Sequence, residues 1–539
     1  MANFDVNQRW SNLSVVLISV FVAASCGGDG QGDLHETTAS IHRGNGGIPG
    51  SLDPALAEDV HAFNILTDIY EGLVTVAADG SLIPGVARDW AVSGDGLHYA
   101  FYLRDDARWS NGDPIVADDF VKSLRRAADP ATTTTYGFLL GNIRYFDEVA
   151  SGSLPADRLA VVAQSSQVLE IELQERTPYF FALLSMPVAM PVHSSNRGHA
   201  VSLTPQARIG NGAFRLDSVE LGGDIKVSKN PFYWDADKVA IDEVIYSPIT
   251  DLRLEFAMYR AGQLDITQSV PPQQIAQAQK EFATDLQIAP SLGLYYLAFD
   301  LTEPPLDNVE LRQALNMAVD REQLVDLIGR GEQAAYGIVP PGVANHDTAL
   351  FDWHDLAPGE REQQAISHYR DAGYDDKHPL RIQLTYDTGD IHEKVALVIA
   401  AMWRDVLGVD VQLRKMEWQL FLDTRDNRSE WQVMRFAWIG DYDDATTFTN
   451  IFRSNDPQNL PAYANREFDR LLAEADQQSD SQVRSQLLSQ AESVLLQDYP
   501  VAPLYFFVSK HMVRPQISGF EHNPLDRHPS RFLSVSPDD

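Results

Sequence analysis

Apolar and polar positions change period repeatedly along this chain, and each period predicts an element. Residues 99–103 alternate in the manner of a half-buried strand and run towards Asn111-Gly-Asp-Pro114, a turn signal. Helical spacing follows over 118–128, with acidic residues in the first turn and Lys or Arg after them, the order that a helix dipole favours. Val168-Leu-Glu-Ile-Glu-Leu173 alternates strictly and predicts a strand. Further helices are predicted over 309–327, capped by Asp307 or Asn308, over 392–407, and over 466–496 with interruptions. Residues 379–386 and 409–413 read as strands around the 392–407 helix, a strand–helix–strand unit that suits an open α/β sheet. No repeat of 20–50 residues is visible, which argues against solenoids and propellers. The pattern predicts a mixed α/β protein of more than one lobe.

One apolar run is of another kind. Residues 13–24 are too few to span a bilayer and fit the apolar region of a secretory signal over 1–25. The run ends at Val22-Ala-Ala-Ser-Cys26, whose last residue is the single cysteine of the chain. Small residues before Cys26 resemble a bacterial lipobox, in which Cys26 becomes the lipidated first residue. Ala23 stands where such motifs usually carry Leu, and the n-region offers Arg9 against Asp5, so plain secretion after Ala24 is the other reading. Gly27-Gly-Asp-Gly-Gln-Gly32 reads as a flexible tether over 26–32. No other stretch reaches the ~18 apolar residues of a membrane-spanning helix, so the mature protein is expected outside the cytoplasmic membrane without crossing it.

The length of 539 residues fits two to four domains at about 100–200 residues each. With 76 acidic against 42 basic residues the formal net charge is −34, which repels phosphate backbones and disfavours a nucleic-acid partner. The parts of a hydrolase are missing: there is no Gly-x-Ser-x-Gly elbow, no His-Glu-x-x-His helix and no Gly-rich phosphate loop. Asp441-Tyr-Asp443-Asp444 suggests a calcium loop but lacks the Gly at position six and the Glu at position twelve. The 14 histidines are mostly isolated, and no metal or cofactor is expected.

The segment 435–452 carries the most specific chemistry. Asp441 follows an apolar run that contains Arg435, and it lies between the aromatics Trp438 and Tyr442. Two readings of these residues remain: a turn, since Asp, Gly and Tyr are ordinary there, or a carboxylate placed to meet a cation. Other stretches occur in a telling order: Ser51-Leu-Asp-Pro54, Tyr70-Glu-Gly-Leu73, Pro84-Gly-Val-Ala87, Trp109-Ser-Asn-Gly112, Asn211-Gly-Ala-Phe214, Lys229-Asn-Pro-Phe-Tyr-Trp234, Leu311-Arg-Gln-Ala-Leu315 and Ala372-Gly-Tyr374. Together, from about Ser51 to about Leu525, they resemble the periplasmic oligopeptide-binding proteins, the solute receptors of ABC peptide importers.

That resemblance implies two α/β lobes that close on the ligand, with a third domain inserted in the first. Carried onto this sequence, lobe I comprises 27–70, 194–292 and 509–539, the additional domain 71–193, and lobe II 293–508. It further implies an extended peptide whose backbone is read like an added strand, an Asp441 that receives its α-ammonium, and Arg435 and His392 near its carboxylate. His392 must be protonated to act there as a cation, though a neutral imidazole can still donate one hydrogen bond. By the same resemblance Arg425 is a cleft arginine and Glu58 an acidic pocket residue. Arg425 also reads as a surface ion pair, Glu58 as a solvated helix-start residue and His392 as a helix N-terminal residue. A disulfide of the comparison family is absent, because its positions fall at Gly293 and Ile439. A lysine that meets longer peptides is unmatched, with Arg330 close but offset. The expected partners are short peptides of about two to five residues and the permease and ATPase subunits of an importer, with this chain a monomer and not an enzyme. Relatives on the scaffold that bind nickel complexes, sugars or opines are the alternative.

Overall fold

The computed structural model describes residues 39–196, 209–220, 222–426 and 431–536. The expected signal peptide, Cys26 and the 26–32 tether lie outside the described residues.

Three larger sheets organise the molecule. A four-stranded sheet is ordered Ser40–Gly44, Glu243–Ser247, Ile225–Lys229, Phe214–Val219. A second four-stranded sheet is ordered Ala87–Val92, His98–Leu103, Val168–Glu172, Val161–Ser165. The third has six strands, ordered Gln333–Ala334, Val501–Met512, Leu286–Phe299, Val433–Ile439, Arg381–Asp387, Asp410–Met416. Among the described residues no helix is long and apolar enough to cross a membrane.

Local sequence accounts for most of these elements. The predicted strand–helix–strand unit is present as Arg381–Asp387, Asp390–Leu407 and Asp410–Met416, and its two strands are parallel neighbours. The helix stops at Gly408, whose φ of 74° is a left-handed conformation that favours glycine. The 118–128 prediction corresponds to a helix at Ala117–Ala128, and the interrupted 466–496 prediction to Arg466–Gln477 and Ser481–Asp498. The helix expected over 309–327 is two helices, Val309–Met317 and Arg321–Ile328. Asn308 caps the first through the amide of Glu310, and Asp320 starts the second by accepting from the Gln323 amide. Buried Arg321 holds the turn, donating to the Asn316 and Pro503 carbonyls at 3.0 and 2.8 Å. Periodicity alone runs through such a break because buried apolar residues recur at helical spacing on both sides of it, at Leu311, Ala314 and Leu315 and at Leu324 and Ile328.

Two large cores lie under these sheets. One joins the two four-stranded sheets, so that Phe101, Phe120 and Leu169 belong to the same apolar cluster as Ile41, Phe214 and Val227. The other fills the six-stranded sheet and its helices. Leu286–Phe299 and Val501–Met512 are the longest strand pair and leave this second core at one end. Leu292–Phe299 pack in it, whereas Leu286, Ile288 and Met512 pack against a smaller cluster around Phe256 and Tyr259. Their antiparallel register slips between Pro290 and Leu294 and again between Tyr295 and Tyr296. A register break between two packed bodies interrupts the ladder where bending is least opposed. Gly293 and Ile439, the positions of the missing disulfide, are direct cross-strand partners.

Candidate functional site

The register break opens into a cavity of about 400 Å³. Val60, Phe63 and Tyr136 line one side, while Leu292, Gly440 and Asp441 approach from the six-stranded sheet. Asp441 reaches this position because the strand Val433–Ile439 ends beside the crossing pair. The Gly440 amide donates to the Leu292 carbonyl at 2.8 Å. A Cβ at Gly440 would lie 2.9 Å from a Thr447 methyl and 3.2 Å from Leu292, so this close approach needs glycine. The loop is then fixed from below. Thr447 Oγ1 accepts the Asp441 amide at 3.2 Å, and Asp444 takes two guanidinium bonds from Arg484 at 2.6 and 2.8 Å.

Asp441 sits at the wall of the cavity with no ion-pair partner among the described residues. Burial pushes its carboxyl up to about 6, opposed by the nearby Arg527 guanidinium. Arg527 is itself spent elsewhere, donating to Met186 Sδ at 2.7 Å and more weakly to the Asp441 carbonyl at 3.4 Å. Burial draws Arg527 down to about 10, which leaves it charged at neutral pH. Tyr136 faces the same carboxylate: burial raises its hydroxyl pKa, and the charges of Asp441 and Glu58 raise it further. Glu58 accepts a hydrogen bond from Thr135 and stays exposed.

The other residues singled out by sequence lie elsewhere. Arg435 is buried, pairs with Asp387 through Nε and Nη2, and has its guanidinium 5.1 Å from the Phe421 ring centroid. His392 stands beside this pair, with Nδ1 3.0 Å from the Tyr295 hydroxyl and Nε2 4.0 Å from Asp387 Oδ1. Burial, then the charge of Arg435, push His392 down to about 4, so at neutral pH it offers a hydrogen bond and no charge. Of the two forms open to it, the neutral imidazole is the one this environment favours. Arg425 lies over Phe436, at 5.8 Å. Trp438 is half-buried with no partner for Nε1 among the described residues. Tyr442 stacks on Tyr179 at 4.9 Å and faces a separate cavity of about 310 Å³. In the 441–444 loop Asp443 accepts the Ala344 amide and Asp444 holds Arg484.

A cavity at a register break between packed cores, lined from both sides, is the layout of a solute receptor. The sequence pattern of the bacterial extracellular solute-binding proteins, family 5 Middle, matches residues 81–459. The chain belongs to this family. The periplasmic oligopeptide-binding protein OppA of Escherichia coli is 34% identical over 503 residues, covering 92% of each chain. The probable deoxycholate-binding periplasmic protein YgiS of Escherichia coli is also 34% identical, over 90% of this chain and 92% of that one. Among solved structures, the unliganded open form of the periplasmic murein tripeptide-binding protein MppA superposes with a TM-score of 0.85 at 31% identity, over 93% of this chain and 98% of that one. Haemophilus influenzae OppA in complex with RPPGFSPFR gives 0.73 at 31% identity, over 93% and 99%. This family 5 protein is therefore a two-lobed α/β binding protein.

Two residues at the cavity escaped the sequence reading. Tyr136 lies in a 3-10 turn, Thr135–Leu140, and Arg527 in the C-terminal loop. Neither carries a local signal, because each is brought to Asp441 from a distant part of the chain.

Proposed function

We propose that this family 5 protein is an extracytoplasmic receptor that closes around short peptides of about two to five residues and delivers them to the permease of an ABC importer. The ATP-binding and membrane-spanning parts would come from partner subunits, and the receptor would work as a monomer, without catalysis. In this reading the chain sits in the periplasm or on the outer face of a membrane, tethered through lipid on Cys26. Asp441 receives the peptide ammonium, and Arg435, His392 and Arg425 form the far end, near the carboxylate. Glu58, Trp438 and Tyr442 serve the side-chain pockets.

One observation carries the proposal: a desolvated carboxylate, Asp441, lines the cavity at the crossing strands with no ion-pair partner among the described residues. A buried carboxylate recovers stability when a cation reaches it, and charge-assisted hydrogen bonds contribute about 1.5–3 kcal/mol each. The names and ligands of OppA and MppA agree with peptide as the ligand. The test is calorimetric titration of the protein, freed of co-purified ligand by unfolding and refolding. One syringe holds a pool of tripeptides to pentapeptides and another the same pool N-acetylated. Heat from the free-amine pool alone is the expected outcome. A folded protein that takes up neither pool would move the ligand to a non-peptide class.

A further inference from the structure

Three residues that the sequence leaves scattered converge on the wall of the same cavity. His511 comes from the strand Val501–Met512, and Asp526 and His528 come from the loop that returns beside it. His511 Nε2 lies 2.8 Å and His528 Nε2 3.1 Å from the same Asp526 Oδ1. One ligand atom from each residue falls within 4.8 Å of the other two. Asp526 and His528 line the cavity directly.

We propose that His511, Asp526 and His528 form a binding site for a zinc-type transition-metal dication in the cavity wall, with its remaining coordination positions open to the cavity. Two imidazoles and one carboxylate suit such an ion, which holds ligands at about 2.0–2.2 Å and so sets their donor atoms roughly 3.3 Å apart. The two nitrogen–oxygen separations, 2.8 and 3.1 Å, reach that spacing with shifts of a few tenths of an ångström, and the ligand nitrogens of the two imidazoles lie within 4.8 Å of each other. The rings are held in place before any ion arrives. His511 Nδ1 is 2.9 Å from the Thr267 carbonyl, the kind of outer contact that fixes a ligating imidazole, and His528 stacks on Phe520 at 3.8 Å. His528 Nδ1 is buried without a partner among the described residues. Around the cluster, Glu255 has a buried Oε2 with no partner among the described residues and interacts with the charge of His511, while Arg43 donates to the His528 carbonyl at 2.8 Å and its charge opposes a cation at the cluster. The site shares its cavity with Asp441 but does not rest on the peptide reading: an ion bound here accepts a donor atom from any cavity ligand.

The test uses the full chain, treated with EDTA and dialysed, then titrated with Zn²⁺ by calorimetry and with Co²⁺ by visible absorption. One equivalent per chain and the absorption bands of low-coordinate Co²⁺ are expected. Asp526→Asn and His528→Gln should each weaken Zn²⁺ binding at least tenfold. His368→Ala, in the half-exposed Glu310, His368 and Asp371 cluster, should leave it unchanged. If the cavity variants fail to fold, footprinting of the unmodified chain with a histidine-acylating reagent replaces them, and Zn²⁺ should protect His511 and His528. Absence of stoichiometric binding, affinity unchanged in both cavity variants, or no protection of these two histidines would overturn the site.

Discussion

Asp441 is a carboxylate whose environment favours its neutral form, and that has a consequence for binding. A free pKa near 6 means that the ligand-free protein is partly protonated at this group below neutrality. An ammonium ligand requires the ionised form, so binding releases a proton in that range and affinity rises with pH until it levels above about 6. Asp441→Asn should lower peptide affinity by two or more orders of magnitude and flatten its pH dependence between 5 and 7; a variant that keeps both would remove Asp441 from the ammonium site. For stability the sign is opposite. The folded group holds a proton that the unfolded one has lost between about pH 4 and 6, so this group's contribution to stability falls as pH rises through that window. Arg435 makes a different residue-scale case. Its charge is already met by Asp387, so Arg435→Ala strands a buried carboxylate and should cost about 3–5 kcal/mol in urea unfolding. The double variant with Asp387→Asn should recover most of that loss. The carboxylate role is read separately: Arg435→Ala should weaken free-acid peptides more than their C-terminal amides, and equal losses would end that assignment.

At the scale of elements, the position of Asp441 depends on how its loop is tied to its neighbours. The strand Val433–Ile439 delivers the loop to the crossing pair, and the helix Ser481–Asp498 clamps it through Arg484 on Asp444. Both partners are largely buried, and the two guanidinium bonds fix direction as well as distance. Arg484→Ala should therefore act on binding without touching the ligand: peptide affinity should fall about tenfold or more, with a loss of stability of about 3–5 kcal/mol from the uncompensated Asp444. Asp444→Asn added to that variant should restore stability while leaving affinity low. Full affinity in a folded Arg484→Ala protein would show that the loop holds its shape unaided.

For the whole molecule, the relevant coordinate is the angle between bodies joined by Leu286–Phe299 and Val501–Met512. A ligand that touches both sides favours closure by its differential contacts. In solution scattering, a saturating free-amine peptide should reduce the radius of gyration, and the N-acetylated peptide should leave it unchanged. An unchanged radius with bound peptide would mean that the cleft takes its ligand without closing.

How far the sequence determined this protein follows from the range of the forces involved. Strand period at 168–173, the helical period over 392–407, and the turn at Gly112 are set by neighbours within a few residues, so they are legible in one dimension. The family could be read because its motifs recur in order along nearly the whole chain, and Asp441 because it lies inside one of them. The break at 318–320 was not legible, since helical periodicity continues across it while Asp320 and the long reach of Arg321 redirect the chain. Nor was the pairing of Arg435 with Asp387, the neutral state of His392, or the meeting of Asp441 with Tyr136 and Arg527. The same holds for His511 beside Asp526 and His528. Charge state and ligand geometry depend on burial and on partners distant in sequence, and only the folded chain brings those partners within reach.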